Sequence, residues 1–122
     1  CGDASSLILA AKKYHAKGIG VERSLYFYLY SRLKVYLSGE NENIKIILGD
    51  FNNVEKYLDQ ADYIYVYLLP NVLKKIETWL FNHINPQAKI ISMSFYFTDH
   101  QPYKYQETIN LGDKTKIMLY QK

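Results

Sequence analysis

The sequence predicts an α/β fold built on a mainly parallel sheet that closes with an antiparallel hairpin. Three observations carry this. Apolar, β-prone runs alternate with segments of helical period from residue 5 to residue 97, and such alternation implies right-handed crossovers between parallel strands. Two further β-prone stretches, Glu107–Leu111 and Thr115–Tyr120, flank Gly112-Asp113 and read as a hairpin. The chain opens on small residues, Cys1-Gly2-Asp3-Ala4-Ser5-Ser6, that run directly into a helix pattern. In α/β folds such turns present backbone N–H groups and a positive helix end to a ligand.

Taken in order, Leu7, Ile8, Ala11 and Tyr14 share one helical face over about Ser5 to His15, with Ser5 or Ser6 available as N-cap and Lys12 and Lys13 facing out. Lys17–Glu22 is a short buried strand. Ser24 caps a helix over about Leu25–Leu37, where Leu29, Leu33 and Leu37 recur at steps of four and Ser38-Gly39 ends the run. A strand over Asn43–Leu48 closes at Gly49-Asp50, and a short helix or turn passes Val54 and Leu58. Tyr63–Leu68 is the most β-prone stretch. Leu69-Pro70 ends it, and Asn71 starts a helix that stops near Asn85-Pro86. Lys89–Phe97 is a further strand, and residues 98–103, with Pro102, form a loop.

At 122 residues the chain is expected to be a single domain over 1–122, or most of one. The 13 tyrosines suit strands, supplying buried bulk whose polar tip needs a partner. A net charge of +3, with lysines scattered among carboxylates, gives no strong nucleic-acid signature, although RNA remains a candidate partner. One cysteine forms no internal disulfide, so a reducing, cytoplasmic setting is expected. No apolar run reaches the roughly 18 residues of a membrane span, and Cys and His show no zinc-site spacing. His15, His83 and His100 are widely separated and read as surface or capping residues. No carboxylate pair, phosphate loop or triad can be assembled, which argues against hydrolase and kinase chemistry.

Ligands of parallel sheets sit at the carboxyl ends of the strands, which singles out Asp3, Glu22, Asp50 and Leu69-Pro70. Glu22 follows the opening turn by about 20 residues, where a carboxylate accepts from both hydroxyls of a ribose; the alternative is an acid pairing with the next helix dipole or with Arg23. Asp50 offers an acceptor to an adenine amino group and Phe51 a ring face, or else Asp50 caps the following turn and Phe51 joins the core. The extended backbone before Pro70 offers carbonyls that could orient an amine, or forms a plain strand-to-helix turn. Gly2 is the only glycine of the opening turn, so a dinucleotide fingerprint is weakly supported.

Cys1-Gly2-Asp3-Ala4, Gly20-Val21-Glu22, Gly49-Asp50-Phe51 and Leu68-Leu69-Pro70 together resemble the successive motifs of class I S-adenosylmethionine-dependent methyltransferases. Ser31-Arg32-Leu33, the Leu-Leu-Pro turn and Ile91–Phe95 further resemble the small protein-lysine methyltransferases related to the ATP synthase c-subunit lysine methyltransferases. The resemblance implies a Rossmann-like methyltransferase sheet and S-adenosyl-L-methionine as cofactor. It places Gly2, Asp3 and Ala4 in the loop around the cofactor's amino acid part, Glu22 at its ribose, Asp50 and Phe51 at its adenine, and Leu69 and Pro70 at the substrate-facing turn. A protein lysine is the implied acceptor; an RNA or small-molecule acceptor, or a non-catalytic cofactor-binding module, are the alternatives. Ala4 stands where the family has its last glycine, Arg23 and Leu25 replace an apolar residue and a proline, and residues 95–100 lack the family's Pro-rich, Trp-containing loop. The family's first central strand is missing, so the chain is expected to be N-terminally truncated, with unpaired edges on the two strands flanking the gap.

Overall fold

Helix α1 (Ser5–Tyr14) rests on strand β1 (Gly18–Glu22) because the strand supplies glycine where the helix needs room. A Cβ on Gly20 would stand 2.8 Å from Leu7 Cδ1 and 2.9 Å from Cys1 Sγ. The computed structural model describes residues 1–98, 103–110, 112 and 115–122, and within it the chain divides into two units, Cys1–Lys56 and Tyr57–Lys122.

In the first unit, α2 (Leu25–Ser38) connects β1 to β2 (Ile44–Leu48), and the two strands pair in parallel with Glu22 level with Leu48. Their carboxyl ends therefore finish side by side. Ser24 caps α2 by accepting from the Phe27 N–H, and Gly39 ends it at φ 80°, a left-handed conformation that glycine adopts without a Cβ penalty. Ala4, Ala11, Val35, Ile44 and Ile46 form the core. Helix α2 buries only Ser31 and Val35 fully; the leucines whose four-residue step identifies the helix, Leu29, Leu33 and Leu37, face outward and are more than half exposed. A 3-10 turn, Phe51–Val54, and the short α3 (Glu55–Leu58) follow.

In the second unit, β3 (Tyr63–Val66), α4 (Pro70–His83), β4 (Lys89–Met93), β5 (Lys104–Asn110) and β6 (Lys116–Gln121) build a sheet of order β3-β4-β6-β5. The β3–β4 pair is parallel, while β6 is antiparallel to both neighbours. Proline at the first position of α4 lacks an N–H that the helix would leave unpaired in any case. Ile90, Met118 and Tyr120 are fully buried at the centre. The buried tyrosines have partners: the Tyr103 hydroxyl donates to the Asn85 carbonyl at 3.2 Å, and Tyr120 Oη accepts from the Phe97 N–H at 3.2 Å. Burial pushes both phenols above their ordinary pKa.

The predicted α/β class and the terminal hairpin are observed, with three adjustments. The ladders form two sheets, and among the described residues β1 pairs only with β2 and β3 only with β4. The strand expected over Lys89–Phe97 stops at Met93, because Ser94 takes a left-handed backbone at φ 68° that no ladder continues. The N-cap of α1 is Ala4, at φ 60° and ψ 14° with no side-chain cap of its own; the Ser5 N–H is taken instead by Asp3 Oδ1 at 3.1 Å. Residues 99–102, with His100 and Pro102 of the expected loop, and Leu111 and Asp113 of the expected hairpin turn, lie outside the described residues. No described helix is long and apolar enough to cross a membrane.

Candidate functional site

The level ends of β1 and β2 border a shallow cleft of about 380 Å³, walled by Arg23, Leu25, Leu48, Gly49, Asp50 and Asn53. Its place follows from the parallel register: two strands that finish side by side turn away into α2 and into the 3-10 turn, leaving a hollow between the two departing loops. Leu25 and Leu48 give it apolar sides, and Arg23 and Asp50 give it polar ones.

Glu22 ends β1 beside this cleft. Its Oε1 accepts from the Ser24 N–H at 3.0 Å, and its Oε2 from the Gly2 N–H at 2.8 Å. Partial burial opposes ionisation, but the Ser24 and Gly2 amides outweigh it and hold the carboxyl below its ordinary value. Glu22 is thus an anion whose Oε1, with one donor among the described residues, keeps capacity for a ligand donor. The same carboxylate fastens the opening turn to the end of β1.

The turn itself is left-handed at Gly2 (φ 57°) and Ala4 (φ 60°). Asp3 between them turns its carboxylate back on the protein. Its Oδ2 accepts from Ser5 Oγ at 2.7 Å and from Lys34 Nζ at 2.5 Å, and the Lys34 ammonium with the Ser5 donors holds it well below the usual carboxylate range. The turn therefore offers a ligand its backbone, while the Asp3 side chain fixes its shape. Left-handed alanine costs an L-residue about 1 kcal/mol, so Ala4→Gly is expected to be nearly neutral, relief of strain offsetting the lost buried methyl. Ala10→Gly, inside α1, should destabilise by about 1 kcal/mol. Urea titration of the two variants checks the contrast.

Asp50 acts as a cap: Oδ1 accepts from the Asn52 N–H at 3.0 Å, and Asn53 Oδ1 accepts from the Asp50 N–H at 2.8 Å. It also lines the cleft. A Cβ on Gly49 would collide with Asn53 Oδ1, which ties the glycine to this cap. Phe51 is half-buried at the start of the 3-10 turn and is not among the cleft walls. Leu69 and Pro70 sit in the other unit, both exposed, at the start of α4. The Leu69 carbonyl accepts from the Val72 and Leu73 N–H groups, each at 2.9 Å, and so takes part in the first turn of the helix. Sequence reasoning missed Lys34 and Asn53, both of which reach the site through side-chain contacts. Among the described residues, no group of His, Cys, Asp and Glu could hold a metal ion.

Residues 1–104 match the family described as the ANTKMT methyltransferase domain. The chain belongs to that family. Solved structures share the fold. An RNA methyltransferase from Salinibacter ruber, in complex with S-adenosyl-L-homocysteine, superposes with a TM-score of 0.85 at 24% identity, over 98% of this chain and 74% of its own. The B. subtilis M1A22 tRNA methyltransferase TrmK gives 0.82 at 16% identity, over 99% of this chain and 56% of its own. A putative rRNA-methylase from Clostridium thermocellum gives 0.74 at 10% identity, over 99% of this chain and 84% of its own. Among curated proteins no significant match is found. The methyltransferase has the Rossmann-like fold that its sequence motifs imply, and family and fold together make it an S-adenosylmethionine-dependent methyltransferase.

Proposed function

We propose that the methyltransferase holds the adenosine of S-adenosyl-L-methionine across the ends of β1 and β2 and transfers its methyl group to a protein lysine amine. The observation that carries the cofactor half is the charged Glu22 carboxylate beside the Arg23–Asp50 cleft. The residues present fit the group: Oε1 of Glu22 has capacity for a ribose hydroxyl, Leu25 and Leu48 offer apolar walls to a purine, and Gly2 and Ala4 bring the turn's backbone to the end of β1. The lysine acceptor is supported by the family and by the Ser31-Arg32-Leu33 and Leu68-Leu69-Pro70 motifs.

When bound, the cofactor would supply an electrophilic methyl on a sulfonium: an amine lone pair would form the N–CH3 bond in line as the S–CH3 bond breaks, its electron pair leaving on the neutral thioether of S-adenosyl-L-homocysteine. Such a displacement needs no covalent nucleophile, so the protein's contribution is positioning. Glu22 orients the ribose by a charge-assisted hydrogen bond. Asp50 and Asn53 hold the loop after β2, and the Leu68-Leu69-Pro70 motif supports a substrate-facing role for its turn. A lysine acceptor must be neutral, and apolar surroundings favour that form by disfavouring the charged one.

The similar structures include RNA methyltransferases, so the acceptor is the point to test. Transfer of labelled methyl from the cofactor to a cell lysate, followed by protease or RNase, is expected to leave the label sensitive to protease alone. Label released by RNase would replace the lysine reading with an RNA one, and absence of transfer despite cofactor binding would make the protein a binding module.

A further inference from the structure

The Gly2–Ala4 turn is held from a distance. Lys34 Nζ, on α2, donates to Asp3 Oδ2 at 2.5 Å and to Ser5 Oγ at 2.6 Å, and Ser5 Oγ donates in turn to Asp3 Oδ2 at 2.7 Å. These contacts close a triangle over Ala4, whose backbone is left-handed and whose side chain is fully buried. A strained residue keeps its conformation only where the surroundings over-determine it. The ammonium, with three donors on a point charge, suits two acceptors on either side of one residue.

We propose that Lys34 is the positioning residue that holds the opening turn in its ligand-ready left-handed shape; this assignment rests on the reading of that turn as part of the cofactor site. The foundation of Lys34 is firm, since its helix neighbours Ser31 and Val35 are 0% and 2% exposed. The pair itself is not a stability device. The side chains of Lys34 and Asp3 are 36% and 43% exposed, and ion pairs in such settings add little to folding. A positioning role and a stabilising role therefore predict different results. The first moves cofactor affinity while leaving the melting temperature almost unchanged.

The test compares the unmodified protein with Lys34→Met, Lys34→Arg and Lys34→Met/Ala4→Gly. Calorimetric titration with S-adenosyl-L-homocysteine is expected to show about a tenfold weaker Kd for Lys34→Met, near-complete rescue by Lys34→Arg, and partial rescue by Ala4→Gly, because glycine adopts the left-handed shape without a clamp. Thermal unfolding should stay within about 2 °C of the unmodified protein. Without any ligand, amide hydrogen exchange at Ser5, whose N–H is bound by Asp3, is expected to be about tenfold faster in Lys34→Met, as for a site opened locally. Unchanged exchange at Ser5 overturns the proposal, as does unchanged affinity in a protein that binds the cofactor. Failure of the unmodified protein to bind instead overturns the functional reading, and the exchange result still decides the role of Lys34.

Discussion

Glu22→Ala is expected to weaken binding of S-adenosyl-L-homocysteine about a hundredfold, the loss of hydrogen bonds to a charged acceptor, and to remove part of the protein's resistance to acid. Both follow from one carboxylate with two duties, toward the ligand and toward the Gly2 and Ser24 amides. The sign of the acid effect is fixed by the depressed pKa. The folded carboxyl, held by the two amides, titrates below its unfolded value of 4.5, so the unfolded state binds more protons just below that pH. The stabilisation is present above pH 4.5 and is lost as pH falls below it. Two amide hydrogen bonds to a charged acceptor set its size at about 2 kcal/mol. Far-UV circular dichroism against pH is the measurement, with Glu22→Gln as the isosteric control. Glu22→Ala should show a shallower loss of stability over that window, and identical acid profiles for the two proteins would disprove the assignment. Asp3 is the same in both proteins and cancels in the comparison.

Leu73→Ala carries the largest expected stability effect, about 3 kcal/mol from lost burial and the cavity left behind. Leu73 is 1% exposed in the cluster formed with Leu80, Ile90 and Met118, and α4 holds it rigidly against the sheet. Leu69, one turn earlier, is 64% exposed, so Leu69→Ala should change stability by less than about 0.5 kcal/mol. Urea unfolding followed by the fluorescence of Trp79, the protein's single tryptophan, reads the unit that contains both. A Leu73→Ala midpoint equal to that of Leu69→Ala would show that this core is not what holds the unit.

Element order was legible in the sequence because each signal was local. Ser24, Gly39 and Pro70 mark helix ends through their own backbone chemistry, and all three stand where expected. The juxtaposition of Glu22 and Gly49-Asp50 was legible because parallel strands of equal length finish level. What escaped depends on partners distant in sequence or on a single backbone angle. Lys34 reads as a solvated helix residue until α2 is folded against the opening turn. The left-handed angle at Ser94 truncates β4 although Phe95 and Phe97 continue the apolar pattern, because composition cannot report φ. Nor does a four-residue leucine step say which face of a helix is covered; in α2 the small Ser31 and Val35 are inside.

The division into two units bears on how the proposed function can be dissected. The residues proposed for the cofactor fall within Cys1–Lys56, and Leu69 and Pro70, proposed for the acceptor, fall within Tyr57–Lys122. On that proposal, variants in the first stretch are expected to change cofactor affinity and variants at Leu69 or Pro70 the choice of acceptor, so binding and transfer can be measured apart.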